Sequence, residues 1–379
     1  MHLPGQFPQS RGGFGLTNSA TGHRSPKWTS ITITLCAGLS LAFVIGGRSV
    51  LPEKYSYDEK RIAALAQEIP GTPTDKSFQL AADFYRHIGL GENQVLAGIV
   101  TFALFVAVLC LAFRAQERVD FSMVRIGLLV AVLVLGAVYL GHYAKEVLIL
   151  PIVAIAMIRR SAWWVDLTLV SCMLLCATFF RSYWFMVAAF YLGFRWLLHK
   201  LSPALALLVG AAVGLGILSV AFTLLMGVDL DHYRILVNDG RTDGADAQTA
   251  IKPLIESAGV VGGYINALAV LFSFFLPLSL VLKGQIFYLV IVAFLLMLWI
   301  FLFRALGQLS DKSVRLPQSQ VRGIALLFAF TVVQAVFEPD YGSYVRHLAP
   351  LLPIMLSAIF YNAPSPWRLE KRENYQKCF

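Results

Sequence analysis

The sequence has few charged residues and few cysteines. Only 14% of its 379 residues are Asp, Glu, Lys or Arg, whereas 58% are hydrophobic. A soluble domain of this length could not cover so much apolar surface, which excludes that class of protein. The five cysteines lie in apolar runs or near the C-terminus, and their spacing predicts neither a disulfide framework nor a metal site. They are Cys36, Cys110, Cys172, Cys176 and Cys378.

Signatures of nucleotide binding and of internal symmetry are also missing. No Walker A pattern occurs, and the glycine pairs in GGRSV and GRTDG are too weak to predict a phosphate-binding loop. We find no internal repeat of the kind that many transporters contain. The sequence therefore predicts no cofactor and no metal. We attribute the net charge of +9 to membrane topology and not to nucleic-acid binding.

What the sequence has in abundance is long apolar runs. Several of them are long enough to cross a hydrocarbon core at about 1.5 Å per residue. Because every backbone N–H inside lipid must be paired within the protein, these runs are predicted to be helices. We expect an all-α polytopic membrane protein with ten crossings. They cover residues 28–50, 93–113, 122–141, 145–158, 163–180, 182–198, 201–227, 285–306, 321–338 and 346–361.

Segment 265–282 is apolar as well, but we expect it not to span the bilayer. If it were an eleventh crossing, Arg315 would lie on the opposite side from Arg159 and Arg160, against the positive-inside rule. Pro277 in the middle of the run fits a re-entrant or interfacial helix. With ten crossings both termini are cytoplasmic, the inner side is net positive and the outer side is net negative.

This topology divides the chain into three parts. Residues 1–27 are expected to form a cytoplasmic tail, residues 28–361 a single transmembrane domain, and residues 362–379 a second cytoplasmic tail. The first apolar run lacks a small-residue cleavage site, so we expect it to be retained as a helix. Two longer extracytoplasmic loops are predicted at about 51–92 and 228–264.

Unusual polar residues collect at the predicted outer ends of the crossings. VYLGHYAKEVLILP places His142, Lys145 and Glu146 between two apolar runs, and FFRSYWF places Arg181 among aromatic residues. Charged residues at membrane depth are costly and usually face a cavity or a partner. The remaining candidates lie in FEPDYGSYVRHLAP and in the two long loops. They are Glu338, Asp340, Tyr341, Arg346 and His347, and Asp58, Glu59, Arg234, Arg241 and Asp243.

Structural roles explain some of these residues taken singly. Arg181 can extend from an aromatic belt to lipid phosphates. Lys145 and Glu146 can form a local ion pair at a helix start, where Glu is favourable near the positive end of the helix dipole. Three such segments on one side instead suit recognition of a charged group. Arginine forks match phosphate oxygens, and a nearby carboxylate can accept a proton from a sugar hydroxyl.

The segments YSYDEKRI, HYAKEVLIL, RSYW and EPDYGSYVRHLAP resemble those of the Wzy/EpsG-type membrane proteins, which polymerise O-antigen, capsule and exopolysaccharide repeat units. Ala144 stands where those proteins usually have Ser before Lys-Glu. The resemblance implies an enzyme of the bacterial inner membrane that acts on undecaprenyl-diphosphate-linked oligosaccharides at the outer face. The lipid diphosphate would be the leaving group of the reaction. The resemblance also allows a chain-length regulator as a protein partner.

Within this hypothesis the candidate residues divide into two sets. The substrate-binding set is Lys145, Arg181, Arg241, Arg346, Asp58, Glu59 and Tyr341. The candidates for the general base are Glu146 and Asp340, with His142 and His347 as alternatives.

Four other functions remain open from the sequence. A polyprenyl-phosphosugar-dependent glycosyltransferase would use Asp58 and Glu59 as the acidic pair of its first outer loop, and an O-antigen ligase would use related chemistry. A transporter of lipid-linked oligosaccharide would place polar residues at the midplane, whereas those here crowd one face. A structural scaffold is the fourth class.

Overall fold

The computed structural model describes residues 23–24, 26–47, 56–114, 119–120, 122–240, 249–256, 259–308 and 316–361. In these ranges the chain is almost entirely helical. The helices are α1 (Pro26–Gly46), α2 (Tyr57–Ala66), α3 (Lys76–His87), α4 (Gln94–Arg114), α5 (Met123–Leu140), α6 (Leu150–Ala156), α7 (Trp163–Phe179), α8 (Trp184–Lys200), α9 (Pro203–Ala221), α10 (His232–Asp239), α11 (Val260–Phe275), α12 (Leu278–Val281), α13 (Ile286–Gln308), α14 (Gln318–Phe337), α15 (Tyr341–Leu348) and α16 (Leu352–Phe360). Two-residue strands, β1 (His23–Arg24) and β2 (Val119–Asp120), pair antiparallel.

Six stretches of the described chain are long and apolar enough to cross a membrane. They are Gln94–Arg114, Met123–Leu140, Pro203–Met226, Ile286–Gln308, Gln318–Phe337 and Tyr341–Phe360. Each coincides with a predicted crossing, so the fold is consistent with a polytopic membrane protein. Ile31–Gly46, Trp163–Phe179 and Val260–Phe275 are apolar but shorter. The count of ten crossings stays a prediction.

The predicted crossing at 145–158 is the shortest helical unit among them. A 3-10 turn, Lys145–Ile149, leads into α6, which has seven residues. The π-helical turn Phe222–Met226 extends α9 and ends at Gly227, whose φ of 67° lies in the left-handed region that glycine adopts without strain. Segment 265–282 is divided where Pro277 follows the end of α11 and precedes α12. The prediction that this segment does not span a membrane stays a prediction.

Helix α14 forms the centre of the bundle. Its residues from Ser319 to Val336 are all buried, and α8, α11 and α16 pack against it. A helix with apolar residues on all sides, as over residues 324–330, is expected in such a position. The peripheral helices instead expose large apolar side chains, for example Leu39, Leu225 and Val290. A surface of this kind suits contact with lipid tails.

The predicted loop at 51–92 contains two helices, α2 and α3, which pack against each other. Asp75 caps α3 by accepting hydrogen bonds from the backbone N–H groups of Ser77 at 2.8 Å and Phe78 at 3.2 Å. Helix α3 also packs on the 3-10 turn Lys145–Ile149. This helical pair therefore covers the end of the bundle at which the charged residues collect.

Candidate functional site

Four segments that are distant in sequence meet at one end of the bundle. Helix α2, the 3-10 turn before α6, the junction of α7 and α8, and the corner between α14 and α15 each contribute charged side chains. We call these side chains the charged cluster. Its members are Asp58, Lys145, Glu146, Arg181, Glu338, Arg346 and His347.

Two buried tyrosines fix the turn that carries Lys145 and Glu146. The Tyr85 hydroxyl donates to the Ala144 carbonyl and accepts from the Ala144 N–H, both at 3.0 Å. The Tyr143 hydroxyl lies 2.5 Å from the carbonyl oxygen of Leu90. Because these bonds come from α3 and from the connection between α3 and α4, the turn has little freedom. Lys145 and Glu146 are each only 2% exposed.

Asp58 bridges two cations of the cluster. Its Oδ2 lies 2.9 Å from Lys145 Nζ and 2.7 Å from Arg346 Nη1. Burial alone would raise the pKa of Asp58, but the positive charges of Arg346 and Lys145 outweigh it and hold this pKa below its usual value. The Lys145 ammonium also lies 3.8 Å from the ring centroid of Phe78, a cation–π contact. Asp58 is therefore ionised at neutral pH and forms an ion pair with each of the two cations.

His347 is held at both ring nitrogens. Its Nδ1 is hydrogen-bonded to the Glu338 carboxylate. Its Nε2 lies 3.4 Å from Arg181 Nη1 and 3.4 Å from Glu146 Oε1. An ionised carboxylate only accepts hydrogen bonds, so Nδ1 carries the proton and the lone pair of a neutral imidazole is on Nε2. A carboxylate that orients an imidazole in this way favours general-base chemistry at Nε2.

The charges of the cluster balance, but one cation lacks a direct partner. Glu146 Oε1 lies 3.4 Å from Arg346 Nε. The cluster contains three cationic side chains and three carboxylates, which are Lys145, Arg181 and Arg346, and Asp58, Glu146 and Glu338. In the described part of the chain, Arg181 forms no ion pair with a carboxylate, and its polar contact is His347. An arginine in this situation can bind an anion without first losing an ion pair.

A cavity of about 220 Å³ lies beside the cluster. One side is polar and includes Asp58, Glu146 and Arg346, whereas the other is aromatic and aliphatic. The Tyr341 hydroxyl accepts a hydrogen bond from Ser279 Oγ at 3.0 Å. The full lining is Tyr57, Asp58, Tyr139, His142, Glu146, Thr249, Leu280, Phe287, Tyr288, Ile291, Asp340, Tyr341, Gly342, Ser343, Val345 and Arg346.

Most of the candidate residues taken from the sequence lie in or next to this cavity. Asp58, His142, Glu146, Asp340, Tyr341 and Arg346 line it, and Lys145, Arg181 and His347 belong to the charged cluster. Glu59 is buried and accepts a hydrogen bond from Gln94 Nε2 at 2.7 Å. Arg241 and Asp243 lie outside the described residues.

Asp340 has a structural role that bears on its candidacy as a base. It caps α15, since Oδ1 accepts from the Ser343 N–H at 2.8 Å and Oδ2 accepts from Ser343 Oγ at 2.9 Å. Helix α15 carries Arg346 and His347. Asp340 therefore helps to position both residues, and its two oxygen atoms are already engaged by Ser343.

A strap formed by residues 249–256 lies against the corner between α14 and α15. The Ile251 N–H donates to the Pro339 carbonyl at 2.8 Å, and Ala250 forms a β-bridge with Asp340. Thr249 Oγ1 lies 3.4 Å from Asp340 Oδ1 and also lines the cavity. The strap thereby forms part of the cavity wall.

Arg234, one of the polar candidates in the long loops, belongs to a buried network behind the corner, and the sequence did not predict its partners. Arg234 is fully buried and donates to the Ala335 carbonyl at 3.0 Å and to Asp231 Oδ2 at 3.3 Å. Asn266 Nδ2 donates to the same Asp231 oxygen at 2.8 Å. Ala335 lies in the last turn of α14, where free carbonyls favour a cation. The network thus supports the helix end that carries Glu338. A lone Asn in apolar α11 was the available signal.

A second charged network lies near the opposite end of α8. Asp166 accepts from Arg195 Nε and Nη2, each at 3.0 Å. Arg322 is buried and donates to the Ala156 carbonyl at 3.4 Å and to the Arg160 carbonyl at 3.1 Å. It satisfies carbonyls at and after the C-terminal end of α6, which is a helix-capping role.

Comparisons with protein-family models, with curated proteins and with solved structures find no match to this chain.

Proposed function

We propose that this protein polymerises lipid-linked oligosaccharide repeat units at the outer face of the bacterial inner membrane. A hydroxyl oxygen of one lipid-linked unit attacks the anomeric carbon of the growing chain. The bond between that carbon and the diphosphate oxygen breaks, and undecaprenyl diphosphate leaves with the bonding electrons. The observation that carries the proposal is the convergence of three cations and an oriented imidazole beside one cavity.

The cations suit the leaving group. Negative charge accumulates on the diphosphate as its bond to the sugar breaks, and fixed positive groups in a site of low dielectric constant stabilise that charge strongly. Arg346 lines the cavity, Lys145 contacts the lining residue Asp58, and Arg181 contacts His347, which lies beside the lining residue Glu146. Arginine provides a planar fork for phosphate oxygens, and lysine adds a compact charge.

His347 suits the role of general base. The attacking hydroxyl must lose a proton as the new glycosidic bond forms, and Nε2 can take it while Glu338 stabilises the resulting imidazolium. Glu146 lies 3.4 Å from the same nitrogen, but its ion pair with Arg346 makes it a weaker proton acceptor. His142 lines the cavity and is the alternative.

The walls of the cavity suit a substrate that is polar at one end and apolar at the other. Phe287, Tyr288 and Ile291 of α13 and Tyr139 of α5 form the apolar wall. Aromatic side chains of this kind offer flat faces to sugar rings and apolar surface to a lipid. The diphosphate would lie at Arg346, with the first isoprene units along α13.

A polyprenyl-phosphosugar-dependent glycosyltransferase is the second candidate, because Asp58 lines the cavity. In that enzyme Asp58 would be the base. Its contacts with Lys145 and Arg346 weaken its basicity and favour the polymerase. Single-sugar transfer from a polyprenyl monophosphate donor, abolished by Asp58→Asn, would support the second candidate instead.

The polymerase is tested by polymer length in cells that carry Arg181→Ala or Arg346→Ala. We expect short or absent polymer in both strains and accumulation of lipid-linked single repeats. Arg86→Ala is the control, since Arg86 is a partly exposed arginine that pairs with Glu68, away from the cluster. Polymer of normal length and amount in both cluster strains would refute the assignment.

A further inference from the structure

The two cations that Asp58 bridges converge on a single oxygen atom. Lys145 comes from the turn before α6 and Arg346 from α15, yet both reach Asp58 Oδ2, at 2.9 Å and 2.7 Å. Two cations from different elements around one anionic oxygen form the arrangement that binds phosphate. Asp58 and Arg346 both line the cavity. The bridge therefore lies where a ligand can reach it.

We propose that Lys145 and Arg346 form a diphosphate-binding site that the Asp58 carboxylate occupies only while the site is empty. The diphosphate displaces this carboxylate and takes over its two ion pairs. The inference rests on the proposed function and deepens it, because it assigns Asp58 as an internal competitor of the substrate. Asp58 is then neither a base nor a ligand of the substrate.

Burial explains why an internal anion is needed. Lys145 is 2% exposed, and a buried charge without a counter-ion strongly destabilises a fold. In the empty protein Asp58 supplies that counter-ion. In the complex a phosphate oxygen supplies it, so the cations are neutralised in both states. The exchange costs little because one anion replaces another.

Asp58, and not Glu146, is the carboxylate able to leave. The Asp58 side chain is 24% exposed and belongs to α2, whereas the Glu146 side chain is 2% exposed. The turn that carries Glu146 is fixed by Tyr85 and Tyr143. A rotation of the Asp58 side chain away from Lys145 and Arg346 frees both cations without moving that turn.

The ligand chemistry is that of a diphosphate, which either a lipid headgroup or free pyrophosphate can supply. The apolar wall formed by Phe287 and Ile291 favours the lipid. Purified full-length protein in detergent should therefore be titrated with two probes, inorganic pyrophosphate and undecaprenyl diphosphate. We expect both to bind and the lipid to bind more tightly.

The decisive variant is Asp58→Asn, which keeps the size of the side chain and removes its charge. We expect it to bind both diphosphates about tenfold more tightly than the unaltered protein, because the internal competitor is gone. Asp58→Ala should also bind both diphosphates more tightly. This second variant tests the inference even if the amide side chain of Asp58→Asn impairs folding. Asp83→Asn is the matched control, since Asp83 pairs with Arg86 on α3, and its affinities should not change.

Unchanged or weaker diphosphate binding by folded Asp58→Asn and Asp58→Ala would overturn the inference, and so would an unaltered protein that binds neither probe. This outcome differs from failure of the proposed function. Normal polymer in the Arg181→Ala and Arg346→Ala strains would refute the proposed polymerase function. Tighter diphosphate binding by Asp58→Asn would still establish the anion site in that case.

Discussion

Replacing Glu338 by Gln tests the role of the imidazole without altering the shape of the site. Glu338 is buried and its carboxylate holds His347 Nδ1. The amide can still form a hydrogen bond, but it carries no charge to stabilise an imidazolium and can bind the ring in the wrong tautomer. We therefore expect Glu338→Gln to fold normally and to transfer sugar slowly.

The size of the effect follows from the bond that is weakened. A hydrogen bond to a charged group contributes about 1.5–3 kcal/mol, which corresponds to a loss of about 10- to 150-fold in the rate of transfer. Removing the base itself, with His347→Gln, should cost more, about 10²- to 10⁴-fold. The amount of lipid-linked substrate bound at saturation should stay the same in both variants.

The assay uses purified protein and lipid-linked repeats extracted from cells that lack it. Initial rates of chain extension give kcat and KM separately, and thermal unfolding checks the fold. Glu68→Gln is the control, because Glu68 is an exposed carboxylate that pairs with Arg86. A Glu338→Gln protein that extends chains at the normal rate would refute the view that Glu338 orients the base.

Two further predictions concern the frame around the site. Arg234→Met should lower the unfolding temperature and reduce kcat with little change in KM, because it removes the hydrogen-bond donor to the Ala335 carbonyl behind Glu338. Arg234→Lys should restore part of kcat. Equal activity of the two variants would contradict this positioning role. A cysteine placed at Lys283, in a background without reactive cysteines, should react with an impermeant thiol reagent added from outside. Labelling only from the cytoplasmic side would refute the predicted topology of segment 265–282.

The sequence predicted the apolar helices better than their contacts. Apolar runs of about 20 residues must be helical in lipid, because only a helix pairs their backbone groups internally. The bounds of α13 and α14 were therefore close to those predicted. Helix α2 was missed because a ten-residue helix rich in charge is indistinguishable from a polar loop until its partner is known. Pairing it with α3 and with the turn at Lys145 is a tertiary effect.

The same limit applies to the site. The positive-inside rule predicted that Lys145, Arg181 and Arg346 lie on the outer side of the membrane. It could not predict that Arg346 pairs with Asp58, which lies 288 positions away in the sequence. Nor could it separate His347 from Asp340, since both are plausible bases by residue type. The cap that Asp340 forms on α15 and the contact of His347 with Glu338 distinguish them.

The most direct test of the central claim is the chain-length distribution of lipid-linked oligosaccharide in cells that lack this protein. We predict that single repeats accumulate and that long chains disappear. Reintroducing the unaltered gene should restore the long chains, whereas the His347→Gln gene should not. A chain-length distribution that is unchanged by the deletion would contradict the assignment as a polymerase.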